Sequence, residues 1–269
     1  MLPWVKDYLN NEFTPKPKTI FFGPEGLNVI DLSRLLVNRL ISDIDGKDYS
    51  SSPLEDIASP NFYFLKKEED KTNIPIEQLR KPKNFLTLST TNKKILFIQN
   101  GEHIRVDGYN TLLKVSEEAD DNTFIFIATN NINSIPSTII SRFHKHKFPM
   151  PKREEVIAFL NDIKVDLSEK AKNFISFNPW LIEEAEDNEL LKKIKNFDTY
   201  VKAKGINSKD KIEIEAFVDY LVFINKNNIQ KSPKTSLKNL EELIDIKRSI
   251  RSPNNLSMDI AKLRISSCL

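Results

Sequence analysis

The chain has 269 residues, 39% of them hydrophobic and 29% charged, and its 40 basic and 38 acidic side chains leave a net charge of +2. That balance suits folded domains and excludes both general disorder and a bulk electrostatic attraction to nucleic acid or membrane, so any such contact has to be local. The single cysteine, Cys268, excludes an internal disulfide framework and a four-thiolate zinc site. No export signal and no apolar run of about 18 residues is visible, so a cytoplasmic protein with no membrane partner is expected.

Thr19 to Gly23 reads as a short buried strand ending in a Gly-Pro turn, after which Val29, Leu32, Leu36 and Leu40 recur at helical spacing. A polar stretch runs to about residue 61, Phe62 to Leu65 reads as a second strand, and Pro75 opens a helix carrying Ile76, Leu79 and Arg80. Ile95 to Ile98 is a continuous apolar run suited to a central parallel strand covered on both faces. Val106, Tyr109 and Leu113 follow at helical spacing, Phe124 to Ala128 is the next apolar strand, and Lys145 to Phe148 a weaker one. Strands alternating with helices predict a parallel α/β domain over residues 1–150.

From Pro151 onward only helical periods remain: Val156, Ile157 and Leu160, then Ala171, Phe174 and Ile175, then Leu181, Ile182 and Ala185. A break near Lys204-Gly205 divides a small helical domain, 151–204, from a second one, 205–269. The latter carries Ile214, Phe217, Leu221 and Ile224 on one helix and Leu237, Leu240 and Ile244 on another.

Gly23-Pro24-Glu25-Gly26-Leu27-Asn28-Val29-Ile30 lies between a strand and a helix, where a phosphate-binding loop reads G-x-x-x-x-G-K-[ST]. Asn28 stands where glycine lets the backbone approach phosphate, Val29 where lysine reaches the β- and γ-phosphates, and Ile30 where a hydroxyl binds magnesium. A plain Gly-Pro turn unrelated to nucleotides is the competing reading. The strand at Ile95 to Ile98 bears on the choice: an active ATPase delivers a magnesium-binding aspartate and a water-orienting glutamate at its end, and here those positions hold Gln99 and Asn100. Neutral amides do not supply the missing charge, so two halves of one catalytic apparatus are silenced together, and neither a cofactor nor a metal is expected.

The order and spacing of Lys94 to Ile98, Gly108 to Glu118, Asn122 to Thr129 and Ile135 to Arg142 resemble bacterial AAA+ clamp-loader subunits. Pro3-Trp4, Ser59 to Tyr63 and Ile74 to Arg80 look like the delta-prime pattern among them, and Asn254-Asn255-Leu256 is faintly like that family's last helix. The resemblance implies a P-loop-type AAA+ α/β domain, a small helical lid and an all-helical C-terminal collar. It also implies a subunit that does not hydrolyse ATP itself, with gamma or tau and delta subunits as partners, and the beta sliding clamp and primed DNA reached through the complex.

In that family Arg142 corresponds to an arginine finger, in a Ser-Arg-Cys triplet that here reads Ser141-Arg142-Phe143. A planar, permanently charged, five-donor head suits the charge spread over a phosphoryl group in transfer, and a surface ion pair is the alternative. Thr129 matches a γ-phosphate sensor but reads more simply as a strand-end hydroxyl satisfying backbone groups. Trp180 lies near a second sensing position and cannot perform that role.

Four further groups read as structural or solvated: His144 with His146, His103 with Glu102, the Glu117-Glu118 pair, and the basic clusters Arg80 to Lys83 and Lys145 with Lys147. Two rival functions stay open. One is a gamma-like ATPase, which Val29, Ile30 and Gln99 oppose, and the other is an inert AAA+-like scaffold in another DNA machine.

Overall fold

The computed structural model describes residues 2–10, 14–24, 27–68, 71–88, 91–120, 122–163, 165–182, 189–251 and 257–269. Glu25, Gly26, Ala185 and Asn254 to Leu256 therefore lie outside the described residues. The chain divides into two compact units, 1–150 and 151–269. Among the described residues no helix is long and apolar enough to cross a membrane.

In the first unit the elements run α1 (Pro3–Asn10), β1 (Lys18–Phe22), α2 (Val29–Asp45), β2 (Phe62–Leu65), α3 (Ile76–Arg80), α4 (Lys83–Thr87), β3 (Lys94–Gln99), α5 (Val106–Glu117), β4 (Thr123–Ala128), α6 (Ser137–Ile140) and β5 (His144–Lys147). Single 3-10 turns cover Leu54–Asp56, Gly101–His103 and Ile132–Ser134. The strands form one five-stranded sheet in the order β2-β3-β4-β1-β5, with every pairing parallel. The expected strands are all present. The short α1 and α4 carry no periodic signal long enough to read in sequence.

Burial explains which strands lie inside. Ile95 to Ile98 and Ile125 to Ala128 are at most 1% exposed, as continuous apolar runs require when helices cover both faces. α2 starts at Asn28 and ends at Gly46, whose left-handed φ of 63° a side chain would resist. Its apolar stripe, from Val29 through Leu32 and Leu36 to Ile41, is buried. On α5, Tyr109 and Leu112 are buried whereas Val106, the first residue of the helix, is 68% exposed. The edge strand β5 carries only histidine and lysine, which suits a strand whose outer side has no sheet partner among the described residues.

The second unit contains, among its described residues, α7 (Arg153–Asp162), α8 (Glu169–Ser176), α9 (Glu189–Ile194), α10 (Phe197–Lys202), α11 (Lys211–Asn228), α12 (Pro233–Arg251) and α13 (Met258–Ser267). An aromatic cluster joins three of them: Phe174 on α8 meets Tyr220 on α11 at 5.1 Å, and Phe197 on α10 meets Phe217 on α11 at 5.1 Å. The Tyr220 hydroxyl donates to Asp198 at 2.6 Å, giving the buried phenol its partner. On α12 the buried stripe is Leu240, Leu243, Ile246 and Ile250, while Leu237 and Ile244 are 52% and 43% exposed. The expected spacing through Leu237, Leu240 and Ile244 followed the edge of the packed face, because three apolar positions are compatible with more than one centre of burial.

Candidate functional site

The strand registers bring three loops to one height. Phe21 lies opposite Ala128, and Ala128 lies opposite Gln99, so the segments leaving β1, β4 and β3 open together at the C-terminal edge of the sheet. That edge is where open α/β sheets place ligands. Gly23 leaves β1 there, followed after the undescribed Gly26 by Leu27, Asn28, Val29 and Ile30.

Leu27, Val29 and Ile30 are all buried, at 9%, 1% and 8% exposure. A Cβ added to Gly23 would stand 2.9 Å from Val29 Cγ2 and 3.2 Å from Leu27 Cδ2, so apolar side chains fill the space beside the turn. Val29, expected at the position of a phosphate-reaching lysine, is thus packed inward. Asn28 caps α2: its carbonyl oxygen accepts from Asp31 N–H at 3.5 Å and its amide donates to the Asp31 carboxylate. Asp31 puts a negative charge in the first helical turn, the dipole end that a phosphate occupies in a working loop.

Gln99 is held from the opposite side of this edge. Arg34 Nη1, on α2, donates to Gln99 Oε1 at 2.7 Å, and the same guanidinium grips Glu55 with Nη1 at 3.3 Å from Oε1 and Nη2 at 2.7 Å from Oε2. Lys66 adds a contact to Glu55 Oε1 at 2.8 Å. Partial burial pulls the Glu55 carboxyl upward, but the hydrogen bonds from Arg34 and Lys66 outweigh it and hold the group at about 2.

Asn100 adopts the left-handed region, with φ 58° and ψ 63°, and its amide donates to Glu102 Oε1 at 3.2 Å. Glu102 Oε2 lies 2.6 Å from the hydroxyl of Thr129, which also accepts from Asn131 N–H at 3.1 Å. Thr129 is fully buried and its N–H donates to Phe21 O at 3.0 Å. Its hydroxyl therefore serves the backbone, as expected, and also binds a carboxylate that sequence reasoning did not connect to it. His103 closes the 3-10 turn and offers its carbonyl to Ile74 N–H at 2.9 Å.

Ser141 and Arg142 follow α6, at the other end of the sheet. Ser141 Oγ donates to Thr138 O at 3.1 Å. Arg142 is 51% exposed along its side chain, with Nε 3.7 Å from Glu117 Oε1 and Nη1 donating to Thr138 O at 3.2 Å. The next residue, Phe143, is buried in the core with Tyr109 and Leu112, so it anchors the turn from which Arg142 projects. His144 pairs with Thr19 and Lys147 with Phe22, which puts Arg142 beside the start of β1 and Gly23 beyond its end. At about 3.3 Å per residue the two positions are about 15–20 Å apart along the strands. The guanidinium therefore stands at the far end of the sheet from the loop of its own chain.

The remaining sequence candidates are dispersed. His146 meets the Tyr8 hydroxyl; burial pushes Tyr8 up to about 12, and burial followed by the nearby His144 lowers His146. Lys145 and Lys147 are exposed on β5, and Lys83 pairs with Glu118 at 3.0 Å. Trp180 belongs to the second unit, half-buried in the turn Pro179–Leu181. Among the described residues no group of three or more His, Cys, Asp or Glu side chains could hold a metal ion.

A family model described as "DNA polymerase III, delta subunit" matches residues 8–152, more than half of the chain and the whole of the site just described. The chain belongs to this family. Within it, a curated relative named DNA polymerase III subunit delta' from Buchnera aphidicola subsp. Schizaphis graminum is 24% identical over 131 residues, covering 44% of this chain and 40% of the relative. The match thus spans about two fifths of that relative's length, and it places this member on the delta-prime side of the clamp-loader family. The crystal structure of a DNA polymerase III gamma subunit-related protein from Thermotoga maritima matches with a TM-score of 0.55 at 18% identity, over 98% of this chain and 96% of that one. At that identity the likeness carries the fold, and the fold is of the AAA+-like clamp-loader type.

Arg34, Glu55 and Asp31 are the site residues that the sequence did not single out, and Glu102 was expected only as a structural or solvated neighbour of His103. Arg34 left one trace: it stands four residues after Ile30, on the same helical face as the position assigned to the magnesium-binding hydroxyl.

Proposed function

We propose that this chain is the non-hydrolysing delta-prime subunit of a DNA polymerase III clamp loader, which lends Arg142 to ATP held by a neighbouring gamma or tau subunit. The separation of Arg142 from its own loop carries this reading. The loop edge has apolar side chains where cationic and hydroxyl ligands are needed, while an exposed, lightly tethered guanidinium stands at the far edge of the same sheet. A group in that position acts on a phosphate only in trans. Arginine fingers elsewhere supply about 10³–10⁵ in rate, which is the ceiling for the contribution at one site.

In this assignment residues 1–150 are the AAA+-like domain, 151–204 the lid and 205–269 the collar through which the subunit joins the ring. Its partners are gamma or tau and delta, with the beta sliding clamp and primed DNA met through the assembly, and a cytoplasmic setting follows from that role. The subunit braces the ring and turns over no ATP of its own.

The test is an Arg142→Ala variant reconstituted with its partner subunits. Assembly should be unchanged and the clamp- and DNA-stimulated ATPase lowered. An assembled mutant complex that hydrolyses ATP at the unmodified rate removes the finger assignment, and co-purification with partners unrelated to replication removes the subunit assignment.

A further inference from the structure

Three oxygens from two residues converge on one guanidinium at the loop edge. Gln99 Oε1 and Glu55 Oε1 both lie within 3.3 Å of Arg34 Nη1, and Glu55 Oε2 lies 2.7 Å from Nη2. Gln99 holds the place of the metal-binding carboxylate, and Arg34 is one turn beyond Ile30, which holds the place of the metal-binding hydroxyl. The positive group thus sits where an intact site would draw in a divalent cation. It is partly shielded, with Arg34 and Glu55 side chains 24% and 28% exposed, and its guanidinium carbon Cζ lies over the Phe64 ring, 5.7 Å from the centroid. A fixed planar fork satisfies two oxygen-bearing groups at once, which a mobile hydrated ion does only after losing water.

We propose that Arg34 is the resident cation of this degenerate site. It occupies the divalent-cation position between Gln99 and Glu55 and closes that position to a metal–nucleotide complex. The inference rests on the reading above in two correspondences, that of Gln99 to a metal-binding carboxylate and that of Ile30 to a metal-binding hydroxyl. It adds that the site is filled as well as stripped: restoring lysine and hydroxyl at Val29 and Ile30 would leave Arg34 still in the way.

The probe is Mn²⁺ alone, titrated at neutral pH into the full chain, into Gln99→Asp, and into Gln99→Asp combined with Arg34→Met. Methionine keeps an unbranched side chain on α2 while removing the charge, and Lys66 by itself cannot neutralise two carboxylates. The double variant should bind Mn²⁺ at least about tenfold more tightly than the other two proteins, since carboxylate oxygens are the ligands such ions take. Equal affinity in all three, or tight binding by the unmodified chain, overturns the proposal.

Should the double variant fail to fold, Gln99→Asp decides alone. With Arg34 facing a new carboxylate, its thermal midpoint should rise and Mn²⁺ should leave it unmoved. A Mn²⁺-dependent rise in that variant overturns the proposal. Micromolar binding of Mg-ATP by the unmodified chain is a different result, one that sinks the degenerate-site reading itself whatever Mn²⁺ does.

Discussion

Replacing Gly101 with alanine should weaken the exit of β3 that positions Gln99 and Asn100. The added Cβ would meet Ile127 Cγ2 at 2.6 Å, the Tyr109 hydroxyl at 3.0 Å and Ile135 Cδ1 at 3.1 Å. These neighbours are 0%, 1% and 3% exposed, so none can swing into solvent to make room. Overpacking of this kind costs about 1–3 kcal/mol. The Tyr109 hydroxyl also donates to Gly101 O at 2.8 Å, and displacing it leaves a buried carbonyl short of a partner. The two effects together amount to about 2–4 kcal/mol, or on the order of 10 °C in melting temperature for a domain of this size.

Urea unfolding of the full chain, followed by a probe in residues 1–150, should show the midpoint at lower denaturant with its slope unchanged. Tyr109→Phe alone removes the hydrogen bond without crowding and should cost about 1 kcal/mol. In that background Gly101→Ala should cost less than in the parent, because the hydroxyl clash has gone and the two sites share one contact. A Gly101→Ala protein within about 0.5 kcal/mol of the parent would refute the packing account.

Two further perturbations test other parts of the fold. Lys94 is 2% exposed, and its ammonium donates to Phe85 O at 2.6 Å and to Leu88 O at the C-terminal end of α4, so Lys94→Met should destabilise by about 1–3 kcal/mol in denaturant titration, and a neutral result would show those carbonyls satisfied without it. Glu55 is held at about 2 against an ordinary 4.5, a lowered folded-state value, so its contribution to stability is present above pH 4.5 and is lost as pH falls toward 2. Glu55→Gln should accordingly melt below the parent at neutral pH and converge with it in acid; parallel profiles across that window would mean that Arg34 and Lys66 do not lower the carboxyl.

Much of the fold was legible because its signals are local. Ile95 to Ile98 and Phe124 to Ala128 announce buried parallel strands by composition alone, and the neutral or apolar character of Asn28, Val29, Ile30 and Gln99 is likewise read from side-chain type alone. The α12 stripe was misjudged because Leu237 and Ile244 satisfy a helical period without facing the core. The Arg34 network was invisible for a different reason: its members are 21 and 65 residues apart and no period or motif relates them.

Side-chain chemistry is carried by each residue wherever the chain goes, so the sequence by itself determined that Asn28, Val29 and Ile30 bring no cation and no hydroxyl to the turn after β1 and that Gln99 and Asn100 bring no acid to the end of β3. Distance between remote segments exists only after the strands have paired. The order β2-β3-β4-β1-β5 decided that Gly23, Gln99 and Thr129 share one edge, that Arg34 reaches Gln99 across it, and that Arg142 stands at the opposite edge. Parallel strands have two chemically distinct ends, and which residues gather at which end is set by register.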